Sequence, residues 1–120
     1  MSAIKPVFRI FDYNKAKEFY IDWLGFTIDW EHKPGNAPLY MQISREDAIL
    51  HLSEHHGDCC PGAKAIIENF TGLKEYHRQL LVKNYKFNRP GLETAERNND
   101  NYVEVIDPFG NRLVFCEPNS

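Results

Sequence analysis

One order of elements, strand, helix, strand, strand, strand, reads twice along this chain, and few folds accommodate such a repeat. In the first half, an extended run at residues 7–11 precedes a stretch in which Ala16, Phe19, Tyr20, Trp23 and Leu24 recur at helical spacing. Asp12 stands where an N-cap belongs, and Gly25 where a left-handed residue closes a helix. Three extended candidates follow, at residues 27–32, 39–44 and 48–53. The segment Lys33-Pro34-Gly35-Asn36-Ala37-Pro38 breaks the first pair, and the polar turn Arg45-Glu46-Asp47 separates the next two. In the second half, a run at residues 65–70 precedes a helix that places Leu73, Tyr76, His77, Leu80 and Leu81 on one stripe, from near Thr71 to near Asn84. Extended candidates at residues 86–89, 102–106 and 112–116 complete the copy. The last two are joined by Asp107-Pro108-Phe109-Gly110-Asn111, where Pro108 fixes one dihedral and Gly110 is free to take a positive one.

The copies meet near Pro61-Gly62, which gives modules of about residues 1–61 and 62–120 within one domain. A four-stranded sheet with a single helix hides only one face. The expected fold is therefore α+β: two βαβββ modules with helices outside and a curved mixed sheet around a shared cleft, where a ligand would lie. A hydrophobic fraction of 42% with 13% aromatic residues gives 120 residues enough apolar area for such a core.

Charge and cysteine content exclude several classes. A formal charge of -3 and a pI near 5.9 leave no basic field for phosphates, so no nucleic-acid partner is expected. No apolar run approaches the roughly 20 residues of a membrane span, and MSAIKPVF lacks the regions of a signal peptide, so the expected location is the cytoplasm. Of the three cysteines, Cys59 and Cys60 are adjacent and seldom bond each other, which points to reduced thiols.

Several residue groups could carry chemistry. His51, His55, His56, Asp58, Cys59 and Cys60 crowd into ten residues, and all can ligate zinc. Against a zinc site, His51 and Ser53 share one strand face, the adjacent His55 and His56 point apart, and no paired spacing anchors the rest. The alternative is a polar loop between modules, with Gly57 and Pro61 setting its turns. Cys116 and His51 lie on strands expected to line the cleft and could form a nucleophile and base; equally, Cys116 could be a buried core thiol. Arg9, between Phe8 and Ile10, could point inward to meet a carboxylate or phosphate on a ligand. Glu104 alternates with Val103 and Val105, facing either inward or solvent, and His77 reads as a packed helix residue.

The segments FRIFDYNKAKEFYIDWLGF, LYMQISREDAILHLSEHHGD, EYHRQLL and VIDPFGNRLVFCEP together resemble the glyoxalase, bleomycin-resistance and extradiol-dioxygenase superfamily, the vicinal oxygen chelate fold, and within it the bleomycin-resistance-like branch. The resemblance implies paired βαβββ modules and a homodimer. It also implies positions for a catalytic ion, which fall here on Lys5, His51, Lys64 or its neighbour Ala65, and Val114. Only His51 could ligate well, whereas a catalytic ion wants about three protein ligands, so neither a metal nor another cofactor is expected. In the proteins this branch resembles, aromatic rings stack on a flat drug, each ring adding on the order of 1 kcal/mol. Trp30 matches one stacking position; it could equally serve the core or a dimer interface. The other position usually belongs to a Pro-Trp-Gly segment, where this chain reads Arg97-Asn98-Asn99-Asp100, so Tyr102 or Tyr40 would have to substitute.

The leading expectation is a non-catalytic protein that binds and sequesters a planar, cationic small molecule such as a bleomycin-type antibiotic. Its ligand contacts are Arg9, Trp30, Tyr40, His51, Tyr102 and Cys116. One alternative is a metal-dependent glyoxalase-like lyase or isomerase in which His51 joins further ligands. Another is a protein-interaction relative without a ligand.

Overall fold

The computed structural model describes residues 2–119. The chain divides into two compact units: residues up to Ala63 together with Asp107–Asn111, and Lys64–Ile106 together with the residues from Arg112 on.

The first unit contains β1 (Val7–Arg9), α1 (Tyr13–Lys17), β2 (Thr27–His32), β3 (Tyr40–Arg45) and β4 (Ala48–Ser53). Its sheet runs β1-β4-β3-β2, with β1 parallel to β4 and the other pairs antiparallel. The second unit repeats this arrangement with β5 (Lys64–Ile67), α2 (Leu73–Lys83), β6 (Glu93–Thr94), β7 (Asn101–Ile106) and β8 (Arg112–Glu117), in the order β5-β8-β7-β6. The fold is α+β, two βαβββ modules.

Local chemistry starts the first helix, and a distant carboxylate starts the second. Asp12 is extended, and its Oδ1 accepts from Lys15 N at 2.9 Å, capping α1. From Glu18 to Trp23 the helix widens into a π-helical segment, with Leu24 N bonding Phe19 O at 2.9 Å. The wider turn brings Phe19, Tyr20, Trp23 and Leu24 all into the core, and Gly25 ends the segment at φ +83. In the second unit α2 has no cap of its own. The Glu117 carboxylate, from the end of β8, accepts from Gly72 N and Leu73 N at 3.0 and 3.1 Å, placing a negative charge at the helix N-terminus. Leu73, Tyr76 and Leu80 are buried, and Phe70, Tyr76 and Phe115 form an aromatic cluster with centroids 4.9–5.2 Å apart. His77 donates from Nε2 to the Pro90 carbonyl at 2.8 Å, leaving it a packed helix residue.

The strand expected at residues 86–89 does not form. Pro90 has no N–H to extend a ladder, Phe87 is 68% exposed, and Asn88 Nδ2 instead donates to the Ile106 carbonyl at 2.7 Å. The second strand of this unit is instead the two-residue β6, paired with Asn101 and Tyr102.

The turn between β7 and β8 belongs to the first unit. Asp107 accepts from Tyr20 OH (2.6 Å), Phe109 N (2.9 Å), Asn111 N (2.8 Å) and Asn111 Nδ2 (2.8 Å). Asn111 also donates to Arg9 O and accepts from Gly62 N and Ala63 N. No helix among the described residues is long and apolar enough to cross a membrane.

Candidate functional site

The sheet of the first unit has one face against its helix, carrying Phe8, Met41, Ile43, Leu50 and Leu52, all at most 2% exposed. Strand alternation sends the intervening residues to the opposite face, which is open around Trp30 and His32 and closed at Ser53, whose Oγ donates to Asp58. Register places Val7, His51, Gln42 and Trp30 in one row across it, and Arg9, Ser53, Tyr40 and His32 in the next. Trp30 reaches this row through a β-bulge: Ile28 pairs Ile43 and Trp30 pairs Gln42, so Asp29 and Trp30 together oppose a single residue.

Three rings meet on the open face. Trp30 and Tyr40 are nearly parallel, with centroids 6.0 Å apart and planes 13° apart, and His51 lies edge-on to both at 5.5 and 5.2 Å. Trp30 remains 43% exposed. A polar network underlies the rings. Tyr40 OH and His51 Nδ1 are 2.6 Å apart, and His51 Nε2 and Gln42 Oε1 are 3.0 Å apart. Gln42 Oε1 also accepts from Lys5 Nζ at 3.3 Å, while Gln42 Nε2 donates to Asp29 Oδ2 at 3.0 Å. Ser44 Oγ donates to the other Asp29 oxygen at 2.9 Å. Partial burial, and after it the Lys5 ammonium, lower the pKa of His51, so the imidazole is neutral at pH near 7. Burial, then Asp58 and Cys59, raise that of Tyr40, which keeps its phenol protonated.

Of the residues read from sequence, Arg9, Trp30, Tyr40 and His51 thus share one face. The Arg9 guanidinium is engaged within the unit, 4.5 Å from the Phe11 ring centroid, with Nε donating to Ile10 O at 3.4 Å. Sequence reasoning missed Asp29 and Gln42. Period-two spacing from Tyr40 could have found Gln42, and alternation from Ile28 could have found Asp29; nothing in the sequence marks the bulge that brings Trp30 to the same face.

In the second unit, register puts Tyr102 opposite Cys116, as Tyr40 stands opposite Ser53 in the first. Both Tyr102 and Cys116 line a hollow of about 240 Å³ floored by Ile66 and Val114. Glu104 faces this hollow and is paired with Lys64 Nζ (3.8 Å) and Arg112 (3.0 Å). Burial, with Asp100 and Glu68, raises the Cys116 pKa, so it is a thiol and not an activated nucleophile. The segment Arg97-Asn98-Asn99-Asp100 is a tight turn with Asn99 at φ +62, closed by Ala95 N bonding Asp100 O. Asparagine tolerates that left-handed conformation.

The family's ion positions do not suit an ion. Lys5 and Lys64 occupy equivalent places, each satisfied by a third-strand acceptor, Gln42 or Glu104, and Val114 stands where His51 does in the first unit. An ammonium at a ligand position offers donors and repels a dication. The His51 to Cys60 cluster disperses as well. Asp58 accepts from Ser53 Oγ at 2.6 Å and His55 Nδ1 accepts from Gly57 N at 3.0 Å. The His55 and His56 rings do not point apart as expected but stack at 5.1 Å, because the loop turns back on Ser53. No group of three or more His, Cys, Asp or Glu among the described residues is placed to hold a metal. Cys59, Cys60 and Cys116 are free.

The sequence matches, over residues 1–120, the family described as glyoxalase superfamily protein. Among solved structures it is similar to a bleomycin-binding protein complexed with bleomycin, at 20% identity over 99% of this chain and 100% of that one, with a TM-score of 0.74. It is similar also to a bleomycin resistance determinant encoded on the transposon Tn5, at 18% identity over the whole of both chains, with a TM-score of 0.72. A third is TnmS3, an antibiotic-binding protein from a Streptomyces species, at 16% identity over 98% of each chain, with a TM-score of 0.66. At such identities the likeness is one of fold. No curated protein matches the sequence. With the family matched along its whole length and both sheets in the same βαβββ order, the chain belongs to the glyoxalase superfamily.

Proposed function

We propose that this protein binds and sequesters a flat, cationic small molecule of the bleomycin-antibiotic type, and does not transform it. The observation that carries the reading is the ring cluster of Trp30, Tyr40 and His51 on one sheet face, with Trp30 exposed and Tyr40 and His51 half-buried. Aromatic walls with a few polar anchors bind planar guests, and stacking adds to area burial. Lysines at the superfamily's ion positions favour binding over Lewis-acid chemistry. The antibiotic-binding names of three proteins with this fold support the same class of guest. Arg9 stands at the edge of the wall, and Tyr102 with Cys116 are ligand contacts of the second unit's hollow. The functional form is a homodimer, as the family resemblance implies, and three free thiols favour a reducing cytoplasm.

Titrating bleomycin while following tryptophan fluorescence tests this. Trp23 is 2% exposed and supplies a constant background, so the change comes from Trp30. Trp30→Ala is expected to weaken binding by about tenfold or more, through lost stacking and area. An unmoved signal, with no binding by calorimetry, overturns the reading. A stoichiometric divalent ion that is lost on His51→Ala replaces it with the metal-dependent lyase.

A further inference from the structure

The hydrogen-bond network under the ring wall has a direction fixed by its two ends. Lys5 can only donate, and the Asp29 carboxylate can only accept. Between them Gln42 has one orientation, with Oε1 toward Lys5 and Nε2 toward Asp29. Gln42 Oε1 is also the atom that faces His51 Nε2, so that nitrogen carries the ring proton of a neutral imidazole. Nδ1 is then bare, and the 2.6 Å link to Tyr40 has the phenol donating into the ring. The only hydroxyl proton of Tyr40 is thereby taken up inside the protein. What Tyr40 can offer outward is its oxygen lone pairs, and among the described residues no donor is bonded to that oxygen.

We propose that His51 acts as a specificity-determining residue: by holding the Tyr40 proton, it makes the wall beside Trp30 a hydrogen-bond acceptor, so that flat guests with an N–H at the edge are selected over those with a lone pair there. This rests on the stacking reading above and adds the edge chemistry of the guest. A guest acceptor at Tyr40 meets lone pair against lone pair, whereas an N–H completes the chain from Asp29 through Gln42, His51 and Tyr40. The donors of Lys5 and of the Trp30 indole do not pass through Tyr40, so they cancel when variants at Tyr40 and His51 are compared with the unaltered protein.

Two uncharged probes separate the possibilities: carbazole, a three-ring plane with an edge N–H, and acridine, of the same width with a ring lone pair. Their own fluorescence anisotropy reports binding in mildly alkaline buffer, where both are neutral. The expected preference is about fivefold for carbazole, the size of one net hydrogen bond. Tyr40→Phe, which keeps the ring and its stack, brings the ratio to near one. His51→Ala frees the phenol to donate outward and shifts the ratio toward acridine. Equal binding of both probes, a preference for acridine, or a carbazole preference that survives Tyr40→Phe overturns the inference and leaves stacking intact. Failure of both probes to bind overturns the stacking reading and this inference with it.

Discussion

His51 shows how one residue can be identified from sequence while its role is not. The sequence marked it as the one side chain at the family's ion positions able to ligate, but its neighbours are a phenol, an amide and an ammonium. Those neighbours decide its titration. Burial and Lys5 lower its folded pKa below the ordinary 6.5, so near that pH the unfolded chain binds more protons than the native one. The stability His51 contributes is therefore complete above pH 6.5 and is lost as pH falls through the lower native value. Urea midpoints measured across that range are expected to drop on acidification, and His51→Gln, which cannot titrate, is expected to remove this part of the slope. An unchanged difference between the two proteins at every pH would show that the ring is not held neutral. Cys116 is a parallel case: its place on an open strand face was legible, but its protonated state depends on burial beside Asp100 and Glu68.

At the scale of elements, period and punctuation were legible wherever a segment satisfies its own backbone. The strands at 27–32 and 48–53 form as read, the helix starts just after Asp12, and the helical segment stops just before Gly25. Gly25 stands at φ +83 with only Arg45 Nε, at 3.8 Å, near where a Cβ would be, so the cost of substitution is conformational and not steric. Gly25→Ala is expected to lower stability by about 1 kcal/mol, read from the shift of a urea unfolding midpoint. The π-helical widening and the β2 bulge were not legible. Alternation counted from Ile28 sends Trp30 to the helix-facing side, where it would be buried; the bulge at Asp29 turns it to the open side opposite Gln42. A bulge costs little locally and is chosen by what both strands pack against, which a single strand's pattern does not contain. The strand lost at 86–89 has the same origin, because Asn88 and Pro90 find partners elsewhere in the unit.

For the molecule as a whole, the least expected feature is that a turn between two strands of the second unit completes the first. Asp107 and Asn111 are 5% and 1% exposed, and with Tyr20, Arg9, Gly62 and Ala63 they satisfy one another. Asn111→Ala removes a donor and an acceptor from a site closed to water, leaving the groups around it unpaired. It is expected to cost about 2–4 kcal/mol, measured by equilibrium denaturation. A cost below about half a kcal/mol would mean that water replaces the side chain. The sequence by itself determined the repeat, the topology class and the aromatic and polar residues from which a binding face is made, because periodicity, caps and turn residues act within a few positions along the chain. Only the tertiary structure decided which residues share that face, where the imidazole proton sits and which half of the molecule the 107–111 turn completes. Those outcomes depend on pairing register and buried hydrogen bonds between residues as many as 102 positions apart, which no local pattern encodes.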